Sequence, residues 1–194
     1  MLTSIPNLTE FLLHLDELKA VERQSYTGGG ARRENSAEHS WHLALACWSI
    51  AESVEESFDM EKLLKLALVH DLGEIGAGDT MLYSEARGAA PERERESLVE
   101  SAAHPGNGIR DLVQLWDEQE AGESREAALL KVADRLLPFL LNINSEGRAW
   151  INNGISKSQV LEKHAFIKDE FPEIWDWVQD KVDFASAQGW LKAS

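Results

Sequence analysis

One apolar helical run that ends in two adjacent polar side chains constrains the fold more than any other stretch. Its apolar positions are Met60, Leu63, Leu64, Ala67 and Leu68. This spacing is typical of one buried helix face, and His70 continues the same inward side. Asp71 follows His70, at a point where Gly73 can end the helix. A buried charge is costly unless it is paired or coordinated, so the two side chains either satisfy each other or hold a cation.

The charge balance limits the classes of partner. The 194 residues include 34 acidic and 19 basic side chains, which gives a formal net charge of −15. This excess argues against nucleic acid or an anionic membrane surface as the main partner. A small anionic ligand stays possible, because a metal ion and a few arginines can reverse the local field.

Cysteine content and hydropathy bear on the compartment. The single cysteine, Cys47, excludes an internal disulfide and fits a reducing compartment. The early apolar run is broken by charged residues and lacks a preceding basic segment, so we expect no secretory signal. No stretch has the length of a transmembrane helix. We therefore expect a soluble, cytoplasmic protein.

Helical periodicity recurs along the chain, without sustained period-two alternation, and predicts an all-α fold of about six to nine helices. A capping box over residues 7–10 predicts a first helix over residues 8–23, followed by a glycine-rich loop over residues 24–33. A second capping box, residues 35–38, opens a helix with His39 in its first turn. The length predicts one domain over residues 1–194.

A long helix is predicted from Ser124 onward, and Asp134 interrupts its otherwise apolar pattern. Pro138 predicts a kink close to that aspartate. We expect the terminal helices over residues 146–194 to pack on the outside of a core over about residues 8–145. Asp134 thus becomes a candidate polar group inside the core.

Four of these side chains form a candidate ligand set when they are considered together. They are His39, His70, Asp71 and Asp134. Two imidazoles and two carboxylates suit one first-row divalent ion, such as manganese, iron, cobalt, nickel or zinc, with positions left for water and substrate. The alternative is a structural ion pair between His70 and Asp71 with no metal.

The order of these motifs resembles the HD-domain metal phosphohydrolases, and within them the branch with the bacterial 5'-deoxynucleotidases. The matching segments are residues 32–41, 70–74, 78–79 and 131–134. The resemblance implies a helical HD-domain bundle, a divalent metal held by the four candidate ligands, a nucleotide substrate and a homodimer.

The same resemblance implies roles for three further residues. Glu74 would orient a water or manage its proton, Asp79 would lie near the sugar and leaving group, and Arg23 would meet the phosphate. From the residues alone, Glu74 and Asp79 could instead be polar loop residues, and Arg23 a cation at a helix end. The chain departs from the family at Gln24, where the deoxynucleotidases have an aromatic residue, so the resemblance does not determine base stacking or deoxyribose selectivity.

The function expected from these features is release of phosphate from (deoxy)ribonucleoside 5'-monophosphates by water that a bound metal activates. An HD phosphodiesterase or a guanosine-polyphosphate hydrolase is the alternative within catalysis. A non-catalytic helical module that binds a nucleotide or a protein partner is the alternative outside it.

Overall fold

The structure, a computed structural model, describes residues 4–193, so residues 1–3 and 194 of the expected domain lie outside it. The helices of the described residues are α1 Ile5–Asp16, α2 Ser36–Ser53, α3 Met60–Val69, α4 Glu74–Ala77, α5 Ala90–Ala102, α6 Leu112–Ala121, α7 Arg125–Asn144, α8 Arg148–Asn153, α9 Lys157–His164, α10 Ile167–Glu170 and α11 Pro172–Ala187. Three of these eleven segments have six residues or fewer, which leaves eight longer helices. The all-α prediction is confirmed. None of the helices among residues 4–193 combines the length and apolar character needed to cross a bilayer.

The described chain divides into two compact units. The first comprises Met1–Arg23 and Asn35–Lys131, and the second comprises Gln24–Glu34 and Val132–Ser194. That the whole chain acts as one domain stays a prediction.

Helix α3 forms as the apolar periodicity predicted, but its buried face differs in part, because Leu68 is 54% exposed and Leu66 is buried in its place. Asp59 caps this helix by accepting a hydrogen bond of 3.0 Å from the backbone N–H of Lys62. Leu63, Leu66 and Ala67 are fully buried, and each leucine contributes about 1.5–3 kcal/mol relative to an exposed position. A second cluster lies at the end of α3 and contains Leu18, Val69, Leu72, Leu98, Leu112 and Trp116.

The prediction that Gly73 ends the α3 helix was wrong. Helix α3 ends at Val69 with His70 as its C-cap, three residues before the glycine. A Cβ atom on Gly73 would lie 2.3 Å from the backbone carbonyl oxygen of Glu94 on α5. Gly73 is therefore needed because two backbone segments approach closely there.

The segment before α2 also differs from the prediction. The capping box predicted over residues 7–10 was wrong, because α1 begins at Ile5 and the side chain of Ser4 caps it by accepting from the backbone N–H of Asn7. The helix ends at Asp16 rather than near Arg23. A 3₁₀ turn follows over Glu17–Ala20, and the chain then forms two paired strands, β1 Glu22–Thr27 and β2 Arg32–Asn35. Gly28–Gly30 connects them with positive φ angles that suit glycine. These short polar strands lack the alternation by which a half-buried strand is recognised.

The second unit has an aromatic core. The rings of Phe139 and Trp150 have centroids 5.4 Å apart, and His164 meets the Phe139 ring edge-on at 5.2 Å. The side chain of Arg148 donates a hydrogen bond to the carbonyl of Gly30, which attaches the glycine turn to α8. Pro138 lies inside α7, as expected from the helix predicted there. The predicted kink close to Asp134 stays a prediction.

His164, the one histidine in the sequence of the second unit, is buried, with 1% of its surface exposed. Its Nδ1 atom lies 2.7 Å from the carbonyl oxygen of Val160. Burial lowers the pKa of His164 to about 4 from its usual value of 6.5, although the Val160 carbonyl acts in the opposite direction. The imidazole is therefore neutral in the folded protein at neutral pH.

We predict that His164 makes the protein less stable as the pH falls. Between pH 6.5 and 4 the unfolded chain binds a proton that folded His164 does not, so stability declines as pH falls through this window. The decline from pH 7 to about 4.5 should be roughly 2–3 kcal/mol smaller in His164→Gln, which cannot titrate. Urea unfolding at the two pH values, followed by tryptophan fluorescence, measures this difference. Equal declines in both proteins would contradict the assignment.

Candidate metal centre

Three of the four predicted ligands meet in the first unit. Each of His39, His70 and Asp71 offers one ligand atom, and these atoms all lie within 4.8 Å of one another. All three residues are buried, and the two imidazole centroids are 5.3 Å apart. The adjacent histidine and aspartate thus form part of a larger cluster.

The start of α2 positions His39. Strand β2 ends at Asn35, whose side chain accepts a hydrogen bond of 2.9 Å from the backbone N–H of Glu38. The side chain of Glu38 returns toward the Asn35 backbone, which completes the predicted capping box. His39 follows in the first turn and is fully buried.

The backbone beyond α3 fixes the orientation of His70. Its Nδ1 atom lies 2.8 Å from the carbonyl oxygen of Ala67, so the ring proton belongs on Nδ1. Its Nε2 atom faces the cluster, 3.1 Å from Oδ1 of Asp71, and is the atom that would bind a metal ion. The indole N–H of Trp116 donates to the His70 carbonyl at 3.0 Å. Nothing in the local sequence pattern indicated this contact of Trp116.

Arg23 lies among three carboxyl groups. Its Nη1 atom is 2.7 Å from Oδ2 of Asp71, 3.8 Å from Oδ1 of Asp79 and 3.9 Å from Oε1 of Glu74. Burial alone would raise the pKa of Asp71, but the neighbouring His70 and Arg23 hold it below its usual value. Asp71 is therefore an ionised carboxylate at neutral pH.

Glu74 is almost fully buried in the first turn of α4, and its Oε2 atom accepts a hydrogen bond of 2.5 Å from the Ser36 hydroxyl. Burial and the charge of Asp71 raise its pKa to about 8, with Arg23 acting in the opposite direction. Burial also raises the pKa of Asp79 against the effect of Arg23. The sequence indicated Ser36 as part of a capping box, without its contact to Glu74.

The fourth predicted ligand, Asp134, lies in the second unit. The second unit also contains Gln24, the position at which the chain differs from the deoxynucleotidases. Asp134 is half-buried on α7, and Gln24 is half-buried on β1. The role of Asp134 as a fourth ligand stays a prediction.

The donor set of the first unit suits a divalent metal ion. Two imidazole nitrogens and one ionised carboxylate oxygen form a mixed set that first-row transition metals accept. The carboxylate offsets part of the ion's charge, and the Ala67 carbonyl accepts a hydrogen bond from Nδ1 of His70, as is typical of a ligating histidine. Fold and cluster together define the class of helical proteins with a histidine- and carboxylate-based metal centre.

Comparison with known proteins identifies the family within this class. The family model of the HD domain matches residues 15–175, and the chain therefore belongs to the HD-domain family. A crystal structure of a predicted metal-dependent phosphohydrolase from Magnetospirillum magnetotacticum is 30% identical, with a TM-score of 0.85. The similarity covers 97% of this chain and 96% of that one.

Two relatives have assigned activities. The 5'-deoxynucleotidase HDDC2 of Danio rerio is 29% identical over 133 residues, which cover 67% of this chain and 65% of the relative. A 5'-deoxynucleotidase of Pectobacterium atrosepticum is 28% identical over 144 residues, which cover 69% of this chain and 71% of the relative. The chain thus matches slightly less than two thirds of the Danio rerio protein's length.

We predict that Gly73→Ala destabilises the protein by about 1–3 kcal/mol, because the added methyl group would collide with the Glu94 backbone. Gly88→Ala is the control, since a Cβ atom there meets nothing within 4 Å. Urea unfolding of the two variants and the unchanged protein measures the effect. Equal stability of all three proteins would show that α4 and α5 do not pack as described.

Proposed function

We propose that the protein is a metal-dependent phosphohydrolase that releases phosphate from (deoxy)ribonucleoside 5'-monophosphates. One divalent ion would be held by His39, His70, Asp71 and Asp134. The observation that carries this proposal is the buried His39–His70–Asp71 cluster with the Arg23 guanidinium beside it. The names of the two 5'-deoxynucleotidase relatives support the choice of substrate class.

The chemistry supplied by such an ion is polarisation of a phosphoryl oxygen and a lowered pKa of water. Arg23 binds the phosphate and stabilises the negative charge that develops on its oxygens. The ion pair with Asp71 and the nearby Asp79 carboxylate hold this guanidinium in position. A planar group with several N–H donors matches a phosphate monoester.

The carboxyl groups of Glu74 and Asp79 complete the proposed site. The hydrogen bond from Ser36 fixes Oε2 of Glu74, so Oε1 is the atom that orients the attacking water, and it takes the proton of that water when Glu74 is ionised. Asp79 follows Gly78, whose φ of +75° turns the chain after α4. In our proposal Asp79 lies on the side of the sugar and the leaving oxygen.

The identity of the metal, the compartment and the oligomeric state form the finer part of the proposal. Manganese, cobalt, iron, nickel and zinc all accept this ligand set, so each has to be assayed. We propose a cytoplasmic homodimer. The single cysteine, which is buried, supports a reducing compartment, and the resemblance to the family supports the dimer.

The substrate class is tested by a phosphate-release assay on all ribo- and deoxyribonucleoside 5'-monophosphates with each of the five metals. A cyclic nucleotide and a guanosine polyphosphate are included for comparison. We expect phosphate from the monophosphates only. Cleavage of the diester or the polyphosphate in preference to the monoesters would replace this proposal by one of the other two hydrolase activities.

We predict that Asp71→Asn, which preserves the shape of the side chain, loses bound metal and phosphate release together. The decrease in turnover should be roughly 100-fold or more, because changes even to the partners of metal ligands cost 10–100-fold. Elemental analysis of protein purified without chelator measures the metal. Asp117→Asn is the control, since Asp117 pairs with Arg95 on the exposed surface. Full metal-dependent turnover in Asp71→Asn would refute the site.

We predict that Arg23→Gln retains metal but lowers kcat/KM for the monophosphates roughly 100-fold, because a donor to the developing phosphate charge is lost. Steady-state kinetics and metal analysis are measured on the same preparations. Arg110→Gln, at an exposed arginine, is the matched control. An unchanged kcat/KM in Arg23→Gln would remove Arg23 from the proposed phosphate site.

A further inference from the structure

A second arginine of the first unit is held in place by a buried carboxyl group. Nη1 of Arg87 donates a hydrogen bond of 3.2 Å to Oε1 of Glu94. Glu94 is 5% exposed, whereas the Arg87 side chain is 38% exposed. Ser84 caps the short 3₁₀ helix Glu85–Ala89 that carries the arginine. Arg87 therefore has a fixed anchor and an accessible guanidinium.

The backbone and the charges connect this pair with the proposed site. Gly73, two residues after the ligand Asp71, packs against the Glu94 backbone. Burial raises the pKa of Glu94, and the charges of Asp71 and Asp79 raise it further. Arg87 in turn acts to lower the pKa of Asp79. Arg93, the residue before Glu94 on α5, donates a hydrogen bond of 3.2 Å to the hydroxyl of Thr80, the residue after Asp79. The Arg87–Glu94 pair therefore lies beside the segment that carries Asp79, a residue that the proposed function assigns to the sugar side.

The charge of the pair indicates what Arg87 can bind. An ionised Glu94 neutralises the charge of Arg87, and Asp71 and Asp79 add negative charge nearby, so a further anionic group is disfavoured. A guanidinium has five N–H donors. Among residues 4–193, the contact with Glu94 is the one side-chain hydrogen bond of Arg87. The remaining donors suit an uncharged, planar acceptor.

We propose that Arg87 is a specificity-determining residue that donates hydrogen bonds to the base of the nucleotide. The inference rests on the proposed function, in which Arg23 binds the phosphate and Asp79 lies near the sugar. A nucleobase presents carbonyl oxygens and ring nitrogens in one plane, which matches the guanidinium fork. Guanine is the best match, because its O6 and N7 atoms accept two parallel hydrogen bonds from one arginine.

The test compares a nucleotide with the same substrate lacking its base. Phosphate release is measured from deoxyguanosine 5'-monophosphate and from 2-deoxyribose 5-phosphate. In Arg87→Ala the ratio of the two kcat/KM values should fall about tenfold, mainly through KM of the nucleotide. Arg87→Lys should show the same decrease, because lysine keeps the charge but lacks the planar fork. A ratio that stays unchanged in Arg87→Ala, or that Arg87→Lys restores, overturns the inference.

Arg95→Ala is the matched control. Arg95 lies on α5, next to Glu94, but forms two hydrogen bonds of 2.7 and 3.0 Å with Asp117 on the surface. The Arg95→Ala variant should leave the ratio of the two kcat/KM values unchanged. A decrease as large as that in Arg87→Ala would mean that loss of any arginine in this region alters the ratio, and would overturn the inference.

Calorimetric binding separates this inference from the proposed function. Affinities for deoxyguanosine 5'-monophosphate and 2-deoxyribose 5-phosphate are measured with chelator present, where metal-dependent turnover cannot occur. Absence of phosphate release from every monoester would reject the proposed function. The inference on Arg87 would still be supported by about tenfold weaker nucleotide binding in Arg87→Ala. It would be overturned by equal binding, or by no binding to the unchanged protein.

Discussion

Arg23 and Asp71 form an ion pair of 2.7 Å between side chains that are only 11% and 12% exposed. Removing two charges from water is costly, and their attraction offsets that cost only when further contacts satisfy both groups. Glu74 and Asp79 also lie within 4 Å of the Arg23 guanidinium. The raised pKa values of Glu74 and Asp79 indicate that one guanidinium does not offset three carboxylates, and a divalent ion beside His39 and His70 would add the missing positive charge. The charges of Arg23 and the neighbouring carboxyl groups thus affect both the stability of the first unit and its ability to bind a metal ion.

The backbone around Asp71 makes this arrangement possible. Helix α3 delivers His70 at its C-terminus, and Trp116 holds the His70 carbonyl. Gly73 then brings α4 against the backbone of α5. Glu74 consequently reaches the Ser36 hydroxyl from the opposite side. The cluster residues and Glu74 stand on helices or directly beside one, whereas Arg23 lies on strand β1. Packed elements of this kind limit the movement of a site.

The first unit combines two different kinds of contact. The three clustered candidate ligands, His39, His70 and Asp71, are buried, and the Arg23 guanidinium is paired with Asp71. The guanidinium of Arg87 is hydrogen-bonded to the buried Glu94, while much of the Arg87 side chain stays exposed to solvent. Such a side chain can distinguish substrates without changing the ligands. Chemistry and selectivity are therefore assigned to different residues on the same helical frame.

The sequence by itself determined the helical class, the capping box before His39 and the identity of the candidate ligands. These features are local, since periodicity and caps involve residues within a few positions of one another. Tertiary structure alone decided that Ser36 contacts Glu74 and that Trp116 contacts His70, because these partners lie 38 and 46 positions apart. It also decided that Gly73 serves close packing rather than helix termination, and that polar residues after Val21 pair as strands. No local pattern encodes such contacts, because they exist only once distant helices pack together.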